Sequence, residues 1–216
     1  MPQFNFAGVV VVAIGRKSAD GVTLLGTAFG VRDGLIATAA HVVGHSDRDL
    51  VAVLPMTVDP FGYQDTTIQQ VQTTPVTIVA FDPVKDLAIL QLPSLILQNK
   101  PELASADNSA PGEFVLALGY PHADVGRLVL TQHSAVVGAK VLLGSSSCKI
   151  KHLVLNIHAR PGQSGSPVMG KDRVVAVLTG AFRPQGAGGI IVGGIDPATL
   201  HQTTHAVSAE YIEAML

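Results

Sequence analysis

"GTAFGVRDGLIATAAHVV", Gly26 to Val43, sets two short apolar runs on either side of a break at Asp33-Gly34 and closes on a histidine. With the residues before it, the first run reads "VTLLGTAFGV" (22–31) and the second "LIATAA" (35–40). Both are rich in Val, Ile, Leu and Thr and too short for ordinary helices, so they read as strands. Similar segments recur along the chain: strands are expected at 9–15, 50–55, 76–82, 87–92, 114–120, 128–143 (as two strands), 153–158, 166–169, 174–181 and 189–194. Roughly a dozen short strands at even spacing predict a sandwich or barrel. Helix is expected at the end, in "SAEYIEAML", with Ser208 as N-cap and Glu210 in the first turn, and "TAAHVVG" allows one short turn. The proline-punctuated "LPSLILQNKPELASADNSAPGE" (92–113) reads as a linker between two β units, and "GAGG" (186–189) as a mobile loop.

Composition narrows the function. Hydrophobic residues make up 47% of the 216 and charged residues 14%, which excludes a disordered chain and implies a sizeable core. A net charge of −2 lacks the basic footprint of a nucleic-acid binder. The single cysteine, Cys148, excludes a disulfide-stapled scaffold. "FAGVVVVAIG" (6–15) is shorter than the about 20 residues of a membrane span and lacks the basic flank of a signal peptide. With Met1 as the natural start, a cytoplasmic location is expected; as an excised domain, the location stays open.

Serine is a weak nucleophile. It needs a base within hydrogen-bond reach, a third group to orient that base, and N–H groups aimed at the developing oxyanion. "HARPGQSGSPVMG" (158–170) offers two serines among turn residues. Gly162 precedes Ser164 and frees the backbone to turn its N–H toward a bound oxygen, with Ser164 N–H as the second donor. Ser166 is the rival, but Pro167 biases it toward extended geometry as the first residue of "SPVM". Among eight histidines, His41 follows directly on a strand. His45, four residues on, lacks a further ligand set at metal spacing, so no metal or cofactor is expected. Asp86, in "DPVKDLAILQL", enters a buried strand at its start; alone it reads more readily as a strand-start or turn aspartate, like Asp82 before Pro83.

"TAAHV", "DLAIL" and "GQSGSP" stand in the order His, Asp, Ser. In this the chain resembles the trypsin-like (chymotrypsin-fold) serine peptidases, whose triad order differs from those of subtilisins and α/β-hydrolases. "GTAFGVRDGLIATAAHVV", "PGEFVLALGYP", "VVAVLTGAF" and "HAVSAEYIEAML" further resemble segments of bacterial HtrA-type protease domains. The resemblance implies an all-β fold of two packed six-stranded antiparallel Greek-key β-barrels with a short C-terminal helix. The expected units are 1–95, carrying His41 and Asp86, a linker at 96–112, and 113–216, carrying Ser164 and the substrate cleft. It implies a serine endopeptidase: Ser164 attacks, His41 is the general base, Asp86 orients it, and Gly162 and Ser164 N–H groups hold the oxyanion. Thr179 matches the residue whose hydroxyl supports the aspartate. The backbone of Thr179, Gly180 and Ala181 would pair with an extended polypeptide substrate.

Departures from the family pattern carry expectations too. Gln163 stands where zymogen-activated members carry an aspartate, and "IVGG" (191–194) follows the nucleophile, so activation by a freed N-terminus is not expected. No PDZ module is expected after Leu216, and oligomeric state is left open. His158 and Ala159 are candidates for the primary pocket, with small or apolar P1 residues favoured, while Arg160 reads as a solvated rim residue. The alternatives are an inactive domain of the same fold that binds peptides or partners, and an esterase-like hydrolase.

Overall fold

The computed structural model describes residues 9–54, 62–67, 70–144, 148–181 and 203–216. The strands are β1 (Val11–Ser18), β2 (Gly21–Arg32), β3 (Leu35–Thr38), β4 (Leu50–Leu54), β5 (Gln72–Pro75), β6 (Thr77–Asp82), β7 (Leu87–Gln91), β8 (Phe114–Gly119), β9 (Thr131–Gly144), β10 (Lys149–Leu155), β11 (Pro167–Gly170), β12 (Arg173–Ala181) and β13 (Thr204–Ser208). Two four-residue helices accompany them, α1 (Ala40–Val43) and α2 (Glu210–Glu213). The first seven strands form one antiparallel sheet in the order β5-β4-β1-β2-β3-β7-β6, and the last six a closed barrel, β10-β13-β12-β11-β8-β9. This is the chymotrypsin-like double-barrel architecture, its first unit a seven-stranded half-barrel rather than the expected closed six.

Continuous apolar runs arise because several strands are buried on both faces. In β7, Ala88 and Leu90 face the first unit's core while Leu87 and Ile89 face the second unit. Likewise in β8, Val115 and Ala117 fill the second barrel, and Leu116 and Leu118 face the first unit. Phe29, Ala37, Leu87 and Ile89 from one side meet Met169, Val174, Val177 and Val207 from the other, all at most 1% exposed. At about 25 cal/mol per Å² of apolar area, such a seam holds the two units in a fixed relation, and the cleft residues with them.

Two expectations change, and one strand was not foreseen. Residues 128–143 are not two strands: β9 runs unbroken for 14 residues, pairing with β8 through its first half and with β10 through its second. Gly138 inside it does not end the strand; it makes room for Asn156, whose Oδ1 would lie 2.4 Å from a Cβ there. β5, "QTTP", is polar and pairs with β4 through its backbone, so no hydrophobic pattern announces it. Ser208 does not cap the last helix: it ends β13, and its hydroxyl accepts the Ala106 N–H at 2.8 Å, leaving Ala209 as the N-cap. The segments 186–189 and 189–194, "IVGG" among them, lie outside the described residues.

Candidate active site

His41 sits in α1, and this single helical turn is built on Asp86. The Asp86 carbonyl accepts the Ala40 N–H at 3.1 Å, its Oδ1 accepts the His41 N–H at 2.9 Å, and its Oδ2 meets His41 Nδ1 at 2.7 Å. A carboxylate only accepts, so Nδ1 carries the proton and Nε2 is the basic nitrogen. Asp86 itself adopts φ 56°, a left-handed conformation uncommon outside glycine. Such backbone costs on the order of 1–3 kcal/mol and persists where its surroundings over-determine it. The neighbouring Lys85 does not compete for the carboxylate, because it pairs with Asp82. Asp82 also accepts the Val84 and Lys85 N–H groups at 3.0 Å, the turn role expected of it.

The loop carrying Ser164 joins β10 to β11 and lies against the first unit. Thr27 fastens it twice: its N–H donates to Ser164 O at 2.8 Å and its hydroxyl to Gly162 O at 2.8 Å. The same hydroxyl accepts the Tyr120 N–H at 3.1 Å, so this fully buried threonine joins both units. Gly26 explains how Ser164 comes beside the histidine helix: a Cβ on Gly26 would lie 2.7 Å from Val42 and 2.9 Å from Ser164 O.

The loop's peptides point in definite directions. Among the described residues, the N–H groups of Gln163, Gly165 and Ser166 all donate to carbonyls (Arg160, Leu178 and Gln163), whereas those of Gly162 and Ser164 donate to none. The Pro161 carbonyl accepts the His122 N–H at 2.7 Å, and the Gln163 carbonyl accepts from Ser166 at 3.0 Å. In a trans peptide the N–H opposes the C=O, so the Gly162 and Ser164 N–H groups face away from these bonds. Gly162, at φ 91°, has no space for a side chain: a Cβ would lie 2.3 Å from Tyr120 O.

Burial separates the two serines. Ser164 is half-buried and donates its hydroxyl to Thr179 O at 3.2 Å. Ser166 is fully buried between the units; among the described residues its hydroxyl has no hydrogen-bond partner, and it packs so close to Gly119 that a Cβ there would meet it at 2.0 Å.

Thr179 and Gly180 continue β12 past Leu178 and are half-buried. Beyond Leu178 this edge pairs with β13 on one side, and among the described residues no strand lies on the other. The Thr179 hydroxyl does not reach toward Asp86: it donates to His205 O at 3.1 Å, since β12 shifts register between Leu178 and Gly180 and turns that side chain onto β13. His158 and Ala159 are half-buried. Thr204, which the sequence did not single out, braces them: its hydroxyl accepts the Ala159 N–H at 3.1 Å and donates to Ile157 O at 2.8 Å. Arg160 is exposed, as expected.

Three histidines, His133, His152 and His205, were missed because they lie far from the motifs in the sequence. Gln163 is fully buried; its Oε1 accepts the Arg160 N–H at 2.8 Å and its Nε2 meets His133 Nδ1 at 2.9 Å. Burial, and then the nearby Arg160 charge, push His133 below its ordinary value. His152 and His205 lie 6.2 Å apart, centroid to centroid. Burial lowers His152, outweighing the opposing pull of the Ile150 carbonyl and Asp86, and burial with His152 lowers His205. Among the described residues no three His, Cys, Asp or Glu side chains cluster as a metal site, and no helix is long and apolar enough to cross a membrane.

Two β units with a histidine–carboxylate pair on one and a serine loop on the other define a double-barrel hydrolase scaffold. Residues 26–177 match the trypsin-like peptidase domain, so the chain belongs to that family of serine proteases. The active form of the Rv3671c protease from M. tuberculosis is similar at 23% identity and TM-score 0.65, over 95% of this chain and 78% of that one. Its inactive form is similar at 21% and 0.63, over 95% and 86%. The HtrA-type protease AlgW, solved with a decapeptide, is similar at 16% and 0.64, over 95% of this chain and 62% of that one. At these identities the likeness is one of fold. No curated protein matches the chain.

Proposed function

We propose that the protein is an endopeptidase that cleaves peptide bonds through an acyl-enzyme formed on Ser164. The observation that carries this reading is the 2.7 Å contact between His41 Nδ1 and Asp86, which leaves Nε2 free to act as the base. In the reaction the Ser164 hydroxyl turns from Thr179 O toward His41 Nε2, gives up its proton and attacks the scissile carbonyl. Asp86 holds the Nδ1–H tautomer and stabilises the imidazolium. The Gly162 and Ser164 N–H groups, which donate to no protein acceptor among the described residues, bind the oxyanion. His41 returns the proton to the leaving amine, and water then hydrolyses the ester by the same route. The substrate lies extended along Thr179, Gly180 and Ala181, with P1 toward His158 and Ala159.

Fluorophosphonate labelling of the wild type and Ser164→Ala, with casein cleavage in parallel, tests this. Labelling and cleavage are expected in the wild type and neither in the variant. Labelling that persists in Ser164→Ala sinks the assignment of the nucleophile, and a wild type that neither labels nor cleaves casein points to a peptide-binding domain.

A further inference from the structure

Gln163 lies between the two residues whose N–H groups form the proposed oxyanion hole, and its side chain is tied at both ends. The Arg160 N–H is a donor only, so the amide oxygen must face it. That orientation turns the NH2 group onto His133 Nδ1, which at 2.9 Å must be the unprotonated nitrogen. The bond therefore exists only with neutral His133 in the Nε2–H tautomer.

We propose that Gln163 and His133 form a proton-sensitive latch that sets the oxyanion loop, holding Gly162 and Ser164 N–H in place while His133 is neutral and releasing them when it is protonated. This inference rests on the reading of Gly162 and Ser164 as oxyanion donors. A protonated imidazole donates from both nitrogens, so Nδ1–H would face the NH2 group. Rotating the amide by half a turn mends that contact and sets NH2 against the Arg160 N–H instead. Neither orientation satisfies both ends, and Gln163, at 0% exposure, has no solvent to turn to. In this proposal relief comes from movement of the 160–164 segment, to which Gln163 belongs; rotation of the half-buried His133 ring alone would leave the loop amides unmoved. The charged group acting on His133 is Arg160, from the loop itself. β8, which pairs with this half of β9, carries no titratable side chain. Nothing acidic among these neighbours favours the protonated state, so release occurs below the ordinary histidine value of 6.5. Gln163 and His133 touch neither substrate nor reacting atoms; they are positioning residues.

The test follows backbone amides by NMR across an acid titration of the full chain carrying Ser164→Ala, which isolates the loop from turnover. The Gly162 and Gln163 amides are expected to share one midpoint with the His133 ring protons. Adding His133→Gln, which keeps an acceptor but cannot titrate, is expected to abolish that midpoint. Amides that respond identically with and without His133→Gln overturn the proposal. Kinetics give a second readout on otherwise wild-type protein. His133→Ala is expected to lower kcat about 10- to 100-fold with little change in KM, since a displaced loop costs mainly transition-state stabilisation. His133→Gln is expected to recover most of that loss and to make the acid limb of kcat less steep, because the latch no longer titrates. Equal kcat and equal acid limbs in all three proteins overturn the latch. Amides that track His133 in a protein that does not label would refute the protease reading and leave the latch standing as a property of the loop. Labelling with amides blind to His133 does the reverse.

Discussion

Replacing Gly162 by alanine puts a methyl group where the fold has no room. The new Cβ would lie 2.3 Å from Tyr120 O, 2.7 Å from Ala123 Cβ and 2.8 Å from Ala123 N, against an ordinary contact of at least 3.4 Å. Tyr120 is fully buried and its N–H is held by Thr27, so the loop must yield by about 1 Å. The φ of 91° also disfavours alanine, at about 1–2 kcal/mol. A shift of that size withdraws one donor from the oxyanion, worth about 10²–10³ in kcat, or roughly 3–4 kcal/mol of transition-state stabilisation. KM is expected to change little, because the contact matters chiefly in the transition state. Tm is expected to fall by about 2–8 °C for 1–2 kcal/mol in a domain of this size. The assay is steady-state hydrolysis of an activated ester with calorimetry on the same samples. A Gly162→Ala protein that keeps kcat within a factor of about three would refute the assignment of the Gly162 N–H. So would a loss confined to KM.

Ser166→Ala removes a buried hydroxyl that has no partner among the described residues, so stability is expected to hold or rise by about 1 kcal/mol in urea denaturation, with fluorophosphonate labelling intact; loss of labelling would make Ser166 part of the chemistry. Thr27→Val keeps the shape but leaves the Tyr120 N–H and Gly162 C=O unpaired, and is expected to cost about 3 kcal/mol; a change below about 0.5 kcal/mol contradicts its role as the inter-unit fastener. His133, His152 and His205 all lie below the ordinary 6.5 in the folded state, where the unfolded chain binds more protons. Their stabilisation is complete above 6.5 and is lost as pH falls through the folded values, so Tm is expected to drop on mild acidification before the carboxylates titrate. His152→Gln is expected to flatten part of that drop, and a Tm that is level or rising over the same window contradicts the assignment.

Local chemistry made much of this molecule legible from sequence. Strand-forming runs such as "LAIL" and "FVLAL" announce themselves by composition, and they are continuous because each is buried on two faces. The His41, Asp86 and Ser164 motifs stand out because glycine, proline and small residues at fixed offsets are demanded by the turns that carry them. Asp86 pairs with His41 as the motif order implied. The polar β5 carried no such pattern, and the unbroken β9 could not be told from two strands, since pairing with β8 and then β10 depends on how the barrel coils.

The sequence already favoured Ser164 over Ser166, and only the third dimension shows how their surroundings differ. Ser164 and Ser166 are chemically alike and two residues apart, yet packing between the units buries one and leaves the other at the cleft. The same holds for Gln163, which sequence marked only as a missing aspartate. Its partner His133 lies 30 residues earlier on another strand. Thr179 turned its hydroxyl to His205 O through a register shift that no local signal encodes. Composition and periodicity report what each residue asks of its neighbours in the chain. Hydrogen bonds across the seam of two β units depend on where closed sheets bring distant residues together, and that is decided only when the units pack.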